Sequence, residues 1–205
     1  MSAKIDYYFS MVSPWAFIGH DVFMELVKTF ELEVSYRPVF LPKVFEETGG
    51  LPLAKRHPAR QRYRLIELQR WREKRGLKFD INPKFWPFDT KLADQVAITL
   101  IEQGINPSPF MAHGFRAIWL DGKDLADETV LTEVLESTGA KGAAMVASAK
   151  KEEIAALYDR NTQMAIDGGY FGSPCYVLNG EPFWGQDRLE LLEDALRSGR
   201  DPYLP

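Results

Sequence analysis

The fold is decided by residues 4–15, which read KIDYYFSMVSPW. The first half, Lys4–Phe9, is rich in β-forming residues and alternates loosely, which predicts a strand. Ser13 is a good N-cap and Pro14 suits the first helical position, so a helix is predicted to follow the strand after a short turn. The N-terminus of this helix offers unpaired N–H groups and the positive end of a helix dipole.

A second strand follows the helix. Apolar residues recur at close to helical spacing over residues 16–30, and residues 32–40, LEVSYRPVF, are again rich in β-forming side chains. Two strands joined by one helix make a β-α-β unit, in which the strands are parallel and the crossover is right-handed.

The C-terminal part of the chain predicts a hairpin and a helix. Residues 176–178 form a short strand, the Asn-Gly pair at 179–180 is the strongest hairpin signal, and residues 181–184 return as the next strand. Asp187 then begins a helix, and Glu190, three residues later, completes a capping box.

Helices dominate the region between these two parts. Residues 42–58 are punctuated by Gly and Pro, which predicts a loop leaving the sheet, and residues 82–89, NPKFWPFD, predict an ordered loop. Asp127 and Ser148 are plausible helix N-caps. Helical patterns predict helices over residues 59–75, 91–103, 108–120, 127–138 and 148–166.

The order of these elements is β-α-β, a block of helices, and then β-β-α. This order predicts an α/β protein in which a thioredoxin-like domain carries an inserted all-helical domain. Residues 1–42 and 168–205 would form the thioredoxin-like domain, and residues 43–167 would form the helical insertion.

Composition excludes several classes of protein. With 205 residues, 45% of them hydrophobic, the chain can bury a sizeable core and is not disordered. Its one cysteine, Cys175, cannot form an intramolecular disulfide or a Cys-x-x-Cys redox pair, and three widely spaced histidines argue against a metal site. No apolar run approaches about 18 residues and no signal-peptide core is present, so we expect a cytoplasmic protein that does not enter a membrane.

The charge is unevenly distributed along the chain. The net charge of −4 combines +7 on residues 55–75 with −11 on the rest. Three interpretations of the basic segment are open: a solvated helix face, a local positive field that attracts a small anion, or a nucleic-acid-binding arm. The last of these lacks a known motif, and the overall acidity also argues against nucleic acid.

Two positions can carry chemistry. Thioredoxin-like proteins place their attacking cysteine where this chain has Ser13. A serine cannot form a disulfide, but its hydroxyl can donate a hydrogen bond to a thiolate that a ligand supplies; the alternative is that Ser13 is only an N-cap. A cis bond between Ser173 and Pro174 would expose the backbone of Ser173 for strand-like pairing with a peptide, and the alternative is an ordinary trans turn.

Four segments resemble a known family, and the similarity covers nearly the whole chain. They are DYYFSMVSPWAFIG at residues 6–19, RQRYRLIELQRW at 60–71, NPKFWP at 82–87 and YFGSPCYVLNGEPFWGQDRLELLEDAL at 170–196. These segments are similar to the 2-hydroxychromene-2-carboxylate isomerases, which have a DsbA-like thioredoxin fold and are close to the kappa-class glutathione transferases. The resemblance implies an enzyme that uses glutathione as its cofactor and forms a homodimer.

The resemblance also implies a glutathione site. The hydroxyl of Ser13 would bond the glutathione sulfur, and the backbone of Ser173 would pair with the cysteinyl part. The turn at residues 184–187 would hold the γ-glutamyl end, with Asp187 facing its ammonium group. The implied glutathione residues are Ser13, Trp15, Ser173, Pro174, Trp184, Gly185, Gln186 and Asp187.

The implied substrate is a small aromatic acid, and no metal is implied. In the isomerases the thiolate adds to 2-hydroxychromene-2-carboxylate, the ring opens, and elimination leaves trans-o-hydroxybenzylidenepyruvate, so glutathione is not consumed. A basic residue would hold the substrate carboxylate, and Lys55 or Arg56 is the best match for it. Trp86 falls near a substrate-contacting aromatic residue of the family, and Lys43 is a further candidate by proximity.

Other functions fit the same sequence. A kappa-like glutathione transferase would conjugate electrophiles at the same site and consume glutathione, whereas an isomerase leaves total glutathione constant. A non-catalytic glutathione-binding module would turn over neither kind of substrate. A disulfide oxidoreductase fits least, because Ser13 replaces the nucleophile and no resolving cysteine follows. Cys175 is expected to pack as a small buried hydrophobe.

Overall fold

A mixed four-stranded sheet forms the centre of residues 3–204, which are the residues that this computed structural model describes. The strands are β1 (Lys4–Phe9), β2 (Glu33–Pro38), β3 (Cys175–Leu178) and β4 (Glu181–Trp184). Their order is β2-β1-β3-β4, with β1 and β2 parallel and the other neighbours antiparallel. The predicted α/β class, β-α-β unit and C-terminal hairpin are confirmed.

Nine helices flank the strands in the described part of the chain. None of them is both long and apolar enough to cross a membrane within residues 3–204. Helices α2 to α8 lie between β2 and β3, which is the predicted helical insertion, whereas the exact domain limits stay a prediction. The helices are α1 (Pro14–Thr29), α2 (Leu41–Glu47), α3 (Pro58–Lys74), α4 (Lys91–Glu102), α5 (Ser108–Trp119), α6 (Glu128–Glu136), α7 (Gly142–Ala149), α8 (Glu152–Asp167) and α9 (Leu189–Ser198).

The two faces of β1 enter different apolar clusters. Ile5, Tyr7 and Phe9 alternate onto one face and are completely buried in the main core, which continues from the sheet into α1, α4, α5, α6 and α7. Tyr8 belongs to the other cluster, where it is joined by Val177 and by side chains of α2 and α8. This alternation is the period of two that a strand requires, and it leaves both faces of β1 covered.

Several local predictions are confirmed residue by residue. Strands β1 and β4 begin and end where their patterns predict. Asn179 (φ 51°) and Gly180 (φ 88°) are both left-handed, as the tight turn of an Asn-Gly hairpin requires. Asp127 caps α6, because its side chain accepts a hydrogen bond from the Thr129 amide.

The loop predicted over residues 42–58 is wrong in its first part. Residues Leu41–Glu47 form α2, and Val44 is fully buried. Pro42 falls in the first turn of this helix, where the backbone N–H has no intrahelical partner in any case. The proline therefore starts a helix here and does not interrupt one.

The single helix predicted over residues 148–166 is also wrong at its start. Two helices, α7 and α8, occupy this region, and Ser148 lies in the last turn of α7 and does not cap α8. Helix α7 begins at Gly142, which approaches α6 so closely that a Cβ would lie 2.5 Å from the Thr132 carbonyl oxygen. A short helix of mostly small residues leaves little hydrophobic period for a sequence pattern to detect.

The capping box predicted at Asp187 and Glu190 is absent. Gln186–Arg188 form a 3₁₀ turn, and α9 begins only at Leu189. Because this turn precedes the helix, Asp187 is not at the N-cap position, and its carboxylate pairs with Arg188 instead.

Candidate active site

A cavity of about 530 Å³ lies between α3 and the loop that follows β4. Its walls come from segments far apart in the sequence: the start of α1, one face of α3, Ser173, and residues 184–188. The sheet brings the first and last of these together, because the end of β1 pairs with the start of β3 (Tyr8 with Cys175), which in turn pairs with the end of β4 (Cys175 with Trp184). The cavity therefore opens at the end of β1 where α1 begins.

Ser13 lies directly behind Ser173, which lines this cavity. Its Oγ accepts a hydrogen bond from the Ala16 amide at 3.2 Å, so the predicted N-cap is present. The same hydroxyl donates its proton to the Ser173 carbonyl oxygen at 3.0 Å, across 160 positions of sequence. Ser13 is almost fully buried, and its hydroxyl has to release this carbonyl before it can donate to a ligand.

Ser173 connects two loops to the start of α1. Its bond to Pro174 is cis, and its Oγ accepts a hydrogen bond from the Ser10 amide at 3.1 Å. The Pro174 carbonyl accepts a hydrogen bond from the Gly185 amide at 2.9 Å. Among the described residues, the Ser173 amide donates no hydrogen bond and its carbonyl accepts only from Ser13. The backbone of Ser173 thus retains hydrogen-bonding capacity for a ligand.

Two glycines let the loops on either side of the hairpin approach each other. A Cβ at Gly172 would overlap Trp184 Nε1, so only glycine admits the indole here. Gly185 has a φ of 101°, which favours glycine, and a Cβ there would overlap the Asp187 carboxylate. Phe171 packs edge-on against Trp184 with ring centroids 4.7 Å apart. These segments therefore interlock to form one wall of the cavity.

The opposite wall carries Arg56, Arg60 and Arg64, spaced four residues apart along and just before α3. Within residues 3–204, no carboxylate lies within 4 Å of these guanidinium groups. Burial and, secondly, the charge of Arg56 lower the pKa of Arg64 to about 10. Burial and the charge of Arg60 likewise lower the pKa of Arg56. An anionic ligand would stabilise these mutually repelling cations.

Trp86 connects the arginine wall to the turn before α1. The guanidinium carbon of Arg64 lies 4.4 Å from the centre of the Trp86 ring, a cation–π contact. Trp86 Nε1 donates a hydrogen bond to the Val12 carbonyl oxygen at 2.8 Å. Because Val12 precedes Ser13, Trp86 holds Arg64 in a fixed relation to that serine.

Two carboxylates also line the cavity. Asp187 pairs with its neighbour Arg188, so the loop after β4 presents both signs of charge side by side. Glu67 pairs with Arg70 at 2.5 Å, and this hydrogen bond lowers the pKa of the Glu67 carboxyl. The cavity therefore offers sites for an ammonium group as well as for carboxylates.

The structure brings the residues expected at a glutathione site together. Ser13 and Pro174 lie behind the lining and bond Ser173 and Gly185, which belong to it. The others line the cavity directly: Trp15, Ser173, Trp184, Gly185, Gln186 and Asp187.

The residues expected to meet the substrate are less closely grouped. Arg56 lines the cavity, and Trp86 lies behind it against Arg64. Lys43 and Lys55 are exposed and lie outside the lining. Their roles stay predictions.

Sequence reasoning missed one face of α3. The basic charge of residues 55–75 is visible in the sequence, but nothing in it shows which of these side chains face the cavity. The available signal is their spacing of three or four residues, which places them on one side of a helix. The missed lining residues of α3 that carry charge or aromatic rings are Arg60, Tyr63, Arg64, Glu67 and Trp71, and Arg188 was missed on the opposite wall.

The described chain contributes no reactive thiol to this cavity. Cys175 is buried in β3, and burial raises the pKa of its thiol to about 12, so it stays protonated at neutral pH. Within residues 3–204, no group of three or more His, Cys, Asp or Glu side chains is placed to hold a metal ion. Thiol chemistry at this cavity therefore needs a thiol from a ligand.

Comparison with known proteins agrees with this fold. Residues 4–197 match the family model of the DSBA-like thioredoxin domain, and the chain belongs to that family. It is 24% identical to a 2-hydroxychromene-2-carboxylate isomerase of Sphingobium xenophagum, over 96% of this chain and 99% of the relative. It is 27% identical to glutathione S-transferase kappa 1 of Caenorhabditis elegans, over 95% of this chain and 91% of the relative. A solved 2-hydroxychromene-2-carboxylate isomerase structure superposes with a TM-score of 0.77 at 23% identity, covering 95% of each chain.

Proposed function

We propose that the protein is an enzyme that uses glutathione to isomerise an aromatic carboxylic acid. The substrate would be 2-hydroxychromene-2-carboxylate, converted to trans-o-hydroxybenzylidenepyruvate, or a related compound. One observation carries this proposal: the Ser13–Ser173 contact lies beside a cavity whose opposite wall is a row of arginines. The names of the isomerase relatives support the reaction class.

The residues around Ser13 fit glutathione. The N-terminus of α1 favours a thiolate, because its N–H groups and dipole present positive charge. Ser173, whose amide has no partner among the described residues, can pair with a peptide backbone as a short added strand. When bound, glutathione would supply the nucleophilic thiolate that adds reversibly to the conjugated substrate.

The Ser13 hydroxyl has one proton and two possible acceptors. The Ser173 carbonyl accepts it in this structure. A peptide N–H that pairs with the same carbonyl would take over that bond, and the Ser13 proton would then serve the ligand sulfur. A hydrogen bond to a thiolate lowers the pKa of the thiol, and each pKa unit corresponds to about 1.4 kcal/mol. Ser13 is therefore the proposed catalytic residue.

The loop after β4 suits the γ-glutamyl end of glutathione, which carries an ammonium and a carboxylate on the same carbon. Asp187 would meet the ammonium, and Arg188 beside it would meet the carboxylate. Gln186 of this loop is buried, and its side chain accepts a hydrogen bond from Arg75 at 3.3 Å, so Arg75 supports the loop.

The arginine wall suits the carboxylate of the substrate. Its cations have no acid partner within residues 3–204, so an incoming carboxylate would not have to displace one. Arg56 is favoured over Lys43 and Lys55, because it alone of the three lines the cavity. Trp86 would act through Arg64, by fixing the direction of its guanidinium group.

Product analysis tests this proposal. Purified protein is incubated with 2-hydroxychromene-2-carboxylate, with and without glutathione, and both the organic product and total glutathione are measured. We expect conversion only in the presence of glutathione, with its total unchanged. Conversion at equal rates without glutathione would contradict the proposal, as would the absence of conversion across a series of related aromatic acids.

A kappa-like transferase is the second candidate, and the 27% identical kappa-class relative favours it. Its site would be the same, but glutathione would be consumed when an electrophile such as a chloronitrobenzene is added. A non-catalytic binding module would bind glutathione and turn over neither compound. A homodimer and a cytoplasmic location also stay predictions, and light scattering would measure the first of them.

A further inference from the structure

A fully buried carboxyl group, Asp94 of α4, lies under the turn between β1 and α1. Its Oδ1 accepts a hydrogen bond from the Met11 amide at 2.8 Å. Its Oδ2 lies 2.8 Å from each of three hydroxyl oxygens, those of Ser10, Thr90 and Tyr158. Asp94 therefore ties the backbone of this turn to two helices of the insertion.

The hydroxyl cluster around Asp94 has more contacts than hydroxyl protons. Ser10 Oγ and Thr90 Oγ1 are also 3.1 Å apart, which brings the oxygen–oxygen contacts of hydrogen-bond length to four. The hydroxyls of Ser10, Thr90 and Tyr158 supply only three protons. An ionised Asp94 would leave one contact with lone pairs facing each other. A proton on Asp94 supplies the fourth.

The surroundings of Asp94 also favour the neutral acid. None of the groups that bond it is a cation, and no Lys, Arg or His within residues 3–204 forms an ion pair with it. The neighbouring ionisable groups carry or would acquire negative charge: Tyr158 contacts Asp94, and Asp89 and Asp159 act on Tyr158. Burial raises the pKa of Asp94 to about 7, although the hydrogen bonds that it accepts lower it.

We propose that Asp94 is a protonated carboxylic acid at mildly acidic pH and acts as the positioning residue for Ser13. The acid proton completes the cluster and fixes Ser10, whose amide donates to Ser173 Oγ at 3.1 Å. Asp94 thereby fixes the turn that presents Ser13 and also the loop of Ser173. The expected effect on glutathione binding rests on the proposed function, whereas the protonation state of Asp94 does not.

Ionisation of Asp94 would weaken the site in two ways. The cluster would lose a hydrogen bond, which loosens the turn, and a buried negative charge would lie near the place of the thiolate. We therefore expect affinity for glutathione to fall as pH rises through the titration of Asp94. The ionisation of free glutathione has the opposite effect on binding, since the fraction of glutathione present as thiolate grows with pH.

The first test does not involve glutathione. Carboxyl signals of isotope-labelled aspartate are followed by NMR over a pH titration, and the Asp94 signal is the one absent from D94N. We expect a midpoint of about 7. A midpoint near the ordinary aspartate value of about 3.9 would overturn the proposal. Because the folded pKa is raised, the wild type should lose stability relative to D94N as pH rises from about 4 to about 7.

The second test measures glutathione binding by calorimetry in wild type, D94A and D94N. Asparagine keeps an acceptor for the Met11 amide and adds N–H donors, so it imitates the acid and not the carboxylate. At about pH 6 we expect D94A to bind about tenfold more weakly and D94N to restore most of that loss. The affinity of the wild type for glutathione should decline towards about pH 8, and D94N should not show this decline.

If folded D94N and folded D94A bind glutathione equally weakly, the proposal is overturned, because Asp94 would then be needed as a carboxylate. If D94A does not fold, the pH dependence of glutathione binding by D94N tests the proposal alone: a decline equal to that of the wild type would overturn it. If the wild type does not bind glutathione, the proposed function fails, and the NMR midpoint still decides the protonation state of Asp94.

Discussion

The two sides of the cavity are built in opposite ways. On one side, Ser13, Ser173 and Asp94 belong to one network of hydrogen bonds within the protein. On the other side, Arg60 and Arg64 line the cavity without an acid partner in the described chain. The first side is a frame that fixes geometry. The second carries charge that a ligand has to neutralise, so it would select what binds.

The largest effect is expected from breaking the frame at Ser13. We expect Ser13→Ala to lower kcat/KM about a hundredfold, because a hydrogen bond to a charged sulfur is lost. Loss of the N-cap should also lower the free energy of unfolding by about 1 kcal/mol. Steady-state kinetics and thermal unfolding measure the two effects. Ser148→Ala, at the end of α7, is the matched control, and a Ser13→Ala enzyme with unchanged kinetics would refute the assignment.

The next effect is expected from the charged side. Arg64→Met should raise KM for the substrate about tenfold with less effect on kcat, because a half-buried charge-assisted contact is lost. Arg62→Met is the matched control, since Arg62 is exposed on the same helix and outside the lining. Equal effects of both substitutions would mean that the helix attracts the anion by a diffuse field only, and that effect would disappear at high salt.

A smaller difference should separate the three basic residues that the sequence suggested for the substrate carboxylate. We expect Arg56→Met to raise KM about fivefold, because Arg56 lines the cavity. Lys43→Met and Lys55→Met should change KM less than about twofold, as is usual for exposed charges. A larger effect of either lysine would show that the substrate extends beyond the cavity described above.

The smallest effect concerns stability on the frame side. His20 of α1 is buried against Phe115, and its Nδ1 has no hydrogen-bond partner among the described residues. Burial lowers the pKa of His20, so its contribution to stability is complete above about pH 6.5 and is lost as pH falls below that value. We expect His20→Met to lose less stability than the wild type as pH falls, and thermal unfolding at a series of pH values measures this difference. An unchanged pH slope in the variant would contradict the prediction.

His20 and Asp94 can be separated because they act with opposite sign. The wild type should lose stability through His20 as pH falls, and through Asp94 as pH rises. Comparing each single variant with the wild type over the same pH range isolates the two contributions, since pH effects common to both proteins cancel.

Local patterns were sufficient where neighbours in sequence make the structure. Ser13 and Pro14 begin α1 as predicted, and the Asn-Gly pair at 179–180 forms the predicted turn. The prediction failed where a helix is defined by a contact from elsewhere. Helix α7 depends on Gly142 lying against the backbone of α6, which no periodicity in its own residues reports.

The candidate site was likewise predictable in one part and not in another. The motifs around Ser13, Ser173 and Asp187 are visible as sequence segments, and the cavity lies among them. The lining face of α3 could not be chosen from composition, because its arginines lie among others that point to solvent. Which arginines face the cavity depends on the side from which α3 packs, and that is a tertiary property.

The sequence by itself determined the succession of strands and of most helices along the chain. It also determined the hydroxyl that stands in the position of a thiol and the basic character of α3. These follow from spacing, turn chemistry and residue type, which act over a few neighbouring positions. Only the tertiary structure decided that Ser13 donates to Ser173 and that Asp94 gathers the hydroxyls of Ser10, Thr90 and Tyr158. Such contacts join residues up to 160 positions apart, and no local pattern records them.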